Sequence, residues 1–337
     1  MKTRTLGTTQ VGAIGLGLMT FDQSGTQPRQ QLLDTVTAAL DAGVTLFDTA
    51  DAYGPGDEKG AGAQGENERL IASILDELGV RDQVFLATKG SALPEYSPHL
   101  WDADGTANWD LARRTFAGAG GDTLRHALDG SLRRLGTDHV DLYYVHVDDR
   151  ATPLEETLEA LAGLVQAGKI RYLGWSNVRT WRLERIRQLC DRYGWPAPVA
   201  LQQQHSYLRP RPGNDSVSIV GAEQLDYLDT HEDLTLVAYS PILKGIYDDP
   251  AKRDGHWAME AYAGPDTDAR LAVLAEVAAE VGVTPNQLVL AWLMQQPSPR
   301  TIPLVGPRTP EQFEATLPAL DVKLGEDQLR RLDAAGV

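Results

Sequence analysis

Residues 45–56 read TLFDTADAYGPG. Thr45, Leu46 and Phe47 have the β-branched, aliphatic and aromatic side chains of a buried strand, yet the next residue is the carboxylate Asp48, and a phenol, Tyr53, follows five positions later. A strand that stays apolar to its end and then delivers polar groups into a loop is a unit of α/β architecture. The fold depends on how often the chain repeats it.

Outward from this stretch the repeat is regular. Upstream, TRTLGTTQVG reads as two short strands joined by a Gly-Thr-Thr turn, and GAIGLGLM reads as a strand. Leu32, Leu33, Val36, Ala39 and Leu40 then recur at helical spacing up to Gly43. Downstream, strands at 84–88, 141–145, 170–175, 199–203, 234–239 and 301–304 alternate with helical stretches near 67–77, 122–135, 153–167, 180–193, 221–230, 267–281, 285–295 and 310–316. GEDQLRRLDAA adds one more short helix. Eight strands in alternation with helices, and no Pro/Gly-rich linker, predict a (β/α)8 TIM barrel: one domain over 1–337 with a short N-terminal β-hairpin.

The hydrophobic fraction of 42% in 337 residues is ample for that core. A formal charge of −16 argues against a nucleic-acid or anionic-membrane surface, because phosphates would meet net repulsion. Residues 1–10 are polar and no 18-residue apolar run occurs, so the expected location is cytoplasmic. Cys190 is the only cysteine and falls at helical spacing with Ile186 and Leu189, which reads as a buried small apolar residue. His99, His126, His139, His146, His205, His231 and His256 are scattered without an i, i+4 pair, so no metal is expected. GAIGLGLMT holds only an incomplete G-x-G-x-x-G, better explained as glycines at a barrel strand end than as a dinucleotide-binding fingerprint.

Polar groups at strand ends carry the chemistry. VFLATKG ends in Lys89 and DLYYVHVDD brings His146 to the end of its strand, so Asp48, Tyr53, Lys89 and His146 are predicted to converge on one rim of the barrel. A tyrosine hydroxyl is a poor acid near neutrality unless a cation favours its anion. Lys89 is expected to supply that cation, Asp48 to hold Lys89, and His146 to orient a substrate oxygen or share the proton. Such a device gives a proton to an oxygen gaining negative charge, which is what carbonyl reduction by hydride requires.

FDTADAYG, LATKG, YYVHVDD, YLGWSN and TLVAYSPILKG, in this order over essentially the whole chain, resemble the aldo-keto reductase superfamily. The resemblance implies a catalytic tetrad at Asp48, Tyr53, Lys89 and His146 with Tyr53 as the acid. It also implies NADP(H) as cofactor and a small-molecule carbonyl or sugar-like substrate. By the same resemblance Ser176, Asn177 and Gln202 contact the nicotinamide carboxamide, Tyr239 stacks on its ring, and Ser240, Leu243 and Gly245 meet the pyrophosphate. Arg308 and Gln312 of GPRTPEQFEATL match the segment that grips the 2′-phosphate. The family commonly has Glu-Asn where this chain has Ala315-Thr316, leaving Thr316 as the cofactor contact there.

Three loops, 54–65, 90–121 and 242–266, are longer than barrel connections usually are. Their aromatics, Tyr96, His99, Trp101, Trp109 and Phe116 in the second and Tyr247, His256, Trp257 and Tyr262 in the third, are expected either to roof a binding site or to pack the loops. Trp175 should turn outward beside an inward Ser176, and Trp181 should pack its helix. A cofactor-binding regulatory subunit of the same fold is the alternative reading. A Schiff-base role for Lys89 is opposed by Asp48, which should keep it protonated.

Overall fold

The computed structural model describes residues 2–22, 25–54, 65–94, 111 and 113–336. Strands β1 (Thr3–Leu6) and β2 (Thr9–Gly12) form an antiparallel hairpin. Then β3 (Gly15–Gly17), β4 (Leu46–Asp48), β5 (Phe85–Gly90), β6 (Val140–Val145), β7 (Ile170–Ser176), β8 (Pro198–Gln204), β9 (Thr235–Tyr239) and β10 (Thr301–Val305) pair in parallel in chain order. β10 bonds both β9 and β3, which closes the eight strands into a barrel, the TIM-barrel architecture with its N-terminal hairpin. Between them run α1 (Arg29–Asp41), α2 (Glu66–Leu78), α3 (Gly121–Leu135), α4 (Leu154–Gln166), α5 (Thr180–Tyr193), α6 (Ala222–Asp229), α7 (Thr267–Val281) and α8 (Pro285–Gln295). After β10 come α9 (Pro310–Glu314) and α10 (Glu326–Ala334).

Side-chain alternation splits the apolar residues into two cores. Leu46, Phe85, Ala87, Leu142, Tyr144, Ala200, Val237 and Ile302 fill the barrel interior. Their strand neighbours Phe47, Leu86, Tyr143, Leu201 and Leu236 turn outward onto Ile71, Ile74, Leu124 and Leu128 of the helices. Leu6 and Val11 of the hairpin belong to the interior core. Thr45 Oγ1 accepts from the Gly12 N–H at 3.1 Å and Thr235 Oγ1 donates to the Thr5 carbonyl at 3.0 Å, so the hairpin closes the end where strands begin. Gly174 on β7 stands opposite Tyr144, and a Cβ there would come within 2.4 Å of that ring. The missing side chain is what lets the Tyr144 ring lie inside the barrel.

Helix ends follow the sequence signals. Thr284 and Gln287 cap each other reciprocally at the start of α8, with Pro285 at its first position, which satisfies two otherwise orphan N–H groups. The predicted strand over GAIGLGLM shortens to β3, and the helix expected over 310–316 ends at Glu314, where Thr316 already belongs to a following 3₁₀ turn's cap.

Of the two readings open for Tyr247 and Tyr262, loop packing holds: each is 1% exposed, with Tyr247 Oη bonded to Ser206 Oγ at 2.6 Å and Tyr262 Oη accepting from Gln204 Nε2 at 2.9 Å. They anchor the 242–266 segment, which is organised by short turns at Leu243–Gly245, Pro250–Lys252 and Trp257–Met259. Trp181 does not pack its helix; it is 58% exposed, with the Arg150 guanidinium 5.4 Å from its ring. Trp175 is buried in the outer core and Cys190 is buried on α5, as their spacing implies. Tyr96, His99, Trp101 and Trp109 lie outside the described residues.

Candidate active site

The alternation that sorts the cores also aims the polar groups. Asp48 shares the inward parity of Leu46, Lys89 that of Phe85 and Ala87, Gln202 that of Ala200, and Tyr239 that of Val237. Each stands at or next to the end of its strand, so a polar layer crowns the apolar interior at the mouth opposite the hairpin.

Lys89 is wholly buried at the centre of that layer. An ammonium has three N–H donors, and all three are used: to Asp48 Oδ1 at 2.5 Å, the Thr49 carbonyl at 2.8 Å and Tyr53 Oη at 3.1 Å. The other Asp48 oxygen accepts from Gln202 Nε2 at 2.8 Å. Desolvation opposes the Lys89 charge, but Asp48 and Tyr53 outweigh it and its pKa is raised, so Lys89 stays an ammonium. His146 meets Tyr53 edge to face with ring centroids 5.5 Å apart. Burial, then the Lys89 charge, holds His146 well below its ordinary pKa, so the imidazole is neutral; its Nδ1 is buried without a partner. The four residues therefore meet as the strand ends predict.

One electrostatic expectation fails. Lys89 was expected to make Tyr53 more acidic than free tyrosine, yet the Tyr53 pKa is raised. Burial of the hydroxyl is the largest cause, Lys89 pulls the other way, and Asp48 adds to the rise. The Tyr53 side chain keeps some exposed surface, but its hydroxyl sits at the buried end against Lys89.

Around this centre, Asn177 donates to the His146 carbonyl at 2.8 Å and to Ser176 Oγ at 3.0 Å, and its own Oδ1 accepts from Tyr239 Oη at 3.1 Å. Ser176, Asn177 and Tyr239 thus form one patch beside His146. Gln202 does not join it, since its amide faces Asp48. Ser240, Leu243 and Lys244 have φ of 51°, 45° and 63°, a left-handed backbone rare for residues with side chains, and Gly245 continues it at 85°. Such strain persists only where surrounding structure holds it. Lys244 lies close enough to Arg308 that partial burial and that second cation lower its pKa; among the described residues neither has a carboxylate within ion-pair distance. Two cations that feel each other's charge, with no acid paired to them among the described residues, leave local positive charge in a chain of charge −16.

Gln312 and Thr316 are spent on backbone. Gln312 Oε1 accepts from the Arg308 N–H at 2.8 Å, and Thr316 Oγ1 donates to the Phe313 carbonyl at 2.7 Å while 8% exposed. Thr309 supplies the cap of α9. His205 is held neutral by burial, its pKa lowered to about 4, with its ring 6.1 Å from Trp292.

Two supports were missed in the sequence. Asn67 on α2 accepts from Thr49 Oγ1 at 2.6 Å and donates to the Leu18 carbonyl at 2.8 Å, while its N–H bonds the Tyr53 carbonyl at 3.3 Å; it thereby fixes the segment carrying Tyr53. Gln203 Oε1 accepts from the Asn177 N–H at 2.6 Å, and its Nε2 donates to the Val217 carbonyl at 2.9 Å. The run Gln202-Gln203-Gln204 held the only signal: on a strand, neighbours in such a run must face opposite sides.

A barrel whose mouth holds a buried Lys–Asp pair against a tyrosine and a neutral histidine belongs to a definable class, and the comparisons state which. The model of the aldo/keto reductase family matches residues 13–336, and the chain belongs to that family. Its relatives include an uncharacterized oxidoreductase, YrpG, of Bacillus subtilis (strain 168), 32% identical over 308 residues, covering 88% of this chain and 83% of that protein. Protein tas of Escherichia coli (strain K12) is 30% identical over 354 residues, covering 96% and 94%. Aldo-keto reductase yakc [NADP(+)] of Schizosaccharomyces pombe (strain 972 / ATCC 24843) is 30% identical over 350 residues, covering 99% and 91%. Membership implies nicotinamide-dependent oxidoreduction of carbonyl compounds.

Proposed function

We propose that the protein is a cytoplasmic NADP(H)-dependent carbonyl reductase, a single barrel domain that converts an aldehyde or ketone to an alcohol with Tyr53 as proton donor. The observation that carries the reading is the Lys89 ammonium, fixed by Asp48 at 2.5 Å and placed 3.1 Å from the Tyr53 hydroxyl. A bound NADP(H) supplies the hydride. Tyr53, with its pKa raised, holds its proton at neutral pH and releases it only to a strong base, and an oxygen becoming an alkoxide is such a base. Lys89 stabilises the phenolate left behind. His146, a neutral imidazole, orients the carbonyl oxygen by hydrogen bonding.

The residues present fit the cofactor. Arg308 and Lys244 are the cations for the 2′-phosphate and pyrophosphate, along the strained segment of Ser240, Leu243 and Gly245. Ser176 and Asn177 offer the polar edge for a carboxamide, and Tyr239 the flat face for the ring. The name of the Schizosaccharomyces pombe relative, which carries NADP(+), favours the phosphorylated cofactor.

Replacing Tyr53 by Phe tests the assignment. With Tyr53→Phe, consumption of NADPH at 340 nm across an aldehyde and ketone panel should fall by about a thousandfold or more, while NADPH binding by fluorescence stays unchanged. Undiminished turnover in that variant removes Tyr53 from the mechanism, and wild-type protein inert across the panel removes the function.

A further inference from the structure

Behind the barrel wall that carries Lys89, a second set of ionisable groups lies buried. Asp51 is 2% exposed, and its N–H donates to the Lys89 carbonyl at 3.2 Å. Its Oδ1 is buried without a hydrogen-bond partner. Glu68, on α2, is wholly buried; it accepts from Thr88 Oγ1 at 2.6 Å and from Arg134 Nε of α3 at 2.6 Å. Thr88 directly precedes Lys89, so Glu68 grips the outward face of the strand whose next side chain enters the barrel.

Counting charges decides the protonation state. The groups facing Asp51 are Glu68 on α2, Arg134 on α3, Lys89 on β5, Tyr143 on β6 and Tyr53 on its own segment. Asp48 already neutralises Lys89, and Glu68 already neutralises Arg134. Among the described residues no further cation faces a second carboxylate, and an unpaired buried one is costly. Burial and the Glu68 charge push the Asp51 carboxyl up to about 7, against the opposing pull of Arg134 and Lys89. The Tyr143 hydroxyl, likewise buried without a partner, feels the same two carboxyls. On the outer surface a basic groove lined by Arg69, Gly130, Arg133 and Arg134 brings solvent to the far side of Arg134, where a proton can enter or leave.

We infer that Asp51 is a positioning residue for the reaction: its own carboxyl holds a proton behind Lys89, and losing that proton to solvent places a negative charge behind Tyr53 and weakens it as an acid. The inference rests on the proposed role of Tyr53.

The test is the pH profile of kcat for NADPH-dependent carbonyl reduction in wild type and in Asp51→Asn, joined to infrared difference spectra of both. Wild-type kcat should fall about threefold or more between roughly pH 6 and pH 8, and Asp51→Asn should be flat across that range with its rate at the acid end retained. The infrared band of a protonated buried carboxyl should vanish over the same range in wild type. A wild-type profile reproduced unchanged in Asp51→Asn overturns the inference, as does a wild-type spectrum with no carboxyl titrating in that window. The spectrum needs no turnover, so its difference between wild type and Asp51→Asn, or Asp51→Ala where the first fails to fold, reads Asp51 even if the carbonyl panel shows the proposed function to be wrong.

Discussion

At the residue scale, Asp51 and Asp48 show how position decides the state of chemically identical groups. Three residues apart, one is paired with a lysine and a glutamine and the other has an oxygen with no partner. The consequence for stability has a definite sign. The Asp51 carboxyl ionises near 3.8 when unfolded and near 7 when folded, so the native state binds the extra proton between those limits. Stability from this group is full below about pH 4 and is lost as pH rises through about 7. Asp51→Asn removes the penalty, so its melting temperature should gain on wild type steadily from pH 4 to pH 8, by an amount corresponding to at most about 4 kcal/mol. Thermal melts across that range check it; a constant gap between the two proteins would show that Asp51 does not titrate there.

At the scale of elements, the loops after β9 and β10 each bring one cation to a single place. Gln27 Nε2 donates to the Arg308 carbonyl at 2.6 Å, tying the segment after β3 to the same corner. On the proposed pairing of Arg308 with the 2′-phosphate, a group NADH lacks, Arg308→Ala should weaken NADPH binding by about tenfold or more and leave NADH nearly unaffected, as read by fluorescence titration. Equal losses would place Arg308 elsewhere on the cofactor. Strand ends were the legible part of this site, since an apolar run that finishes in Asp48, Lys89 or His146 leaves the polar group only one direction to face. Asn67 and Gln203 were not legible, because a polar residue on a helix or strand reads the same whether it meets water or fixes a neighbouring loop. Gln312 and Thr316 stand at the matching positions, with Gln312 Oε1 on the Arg308 N–H and Thr316 Oγ1 on the Phe313 carbonyl, local bonds that spacing alone does not reveal. Trp181 reversed its expected environment and Tyr247 took one of the two open to it, because the surroundings of an aromatic depend on contacts far away in the chain, here Arg150 and Ser206.

At the scale of the whole molecule, periodicity carried the architecture. Eight apolar strands with covering helices have few ways to bury both faces, and closure by β10 against β3 follows once each strand lies beside its predecessor. The acidic excess of −16 works against compactness through self-repulsion. Added salt screens that repulsion, so raising sodium chloride from low to about 0.5 M should lift the melting temperature by a few degrees. A drop would mean that exposed pairs such as Arg29–Glu77 outweigh the net charge. The depth of Lys89 has a practical corollary at this scale. Lys2, Lys252 and Lys323 stand in water, whereas Lys89 is sealed among its acceptors. Amine-coupling chemistry will therefore decorate the periphery first, and the protein can be dyed or tethered to a bead with its central ammonium untouched.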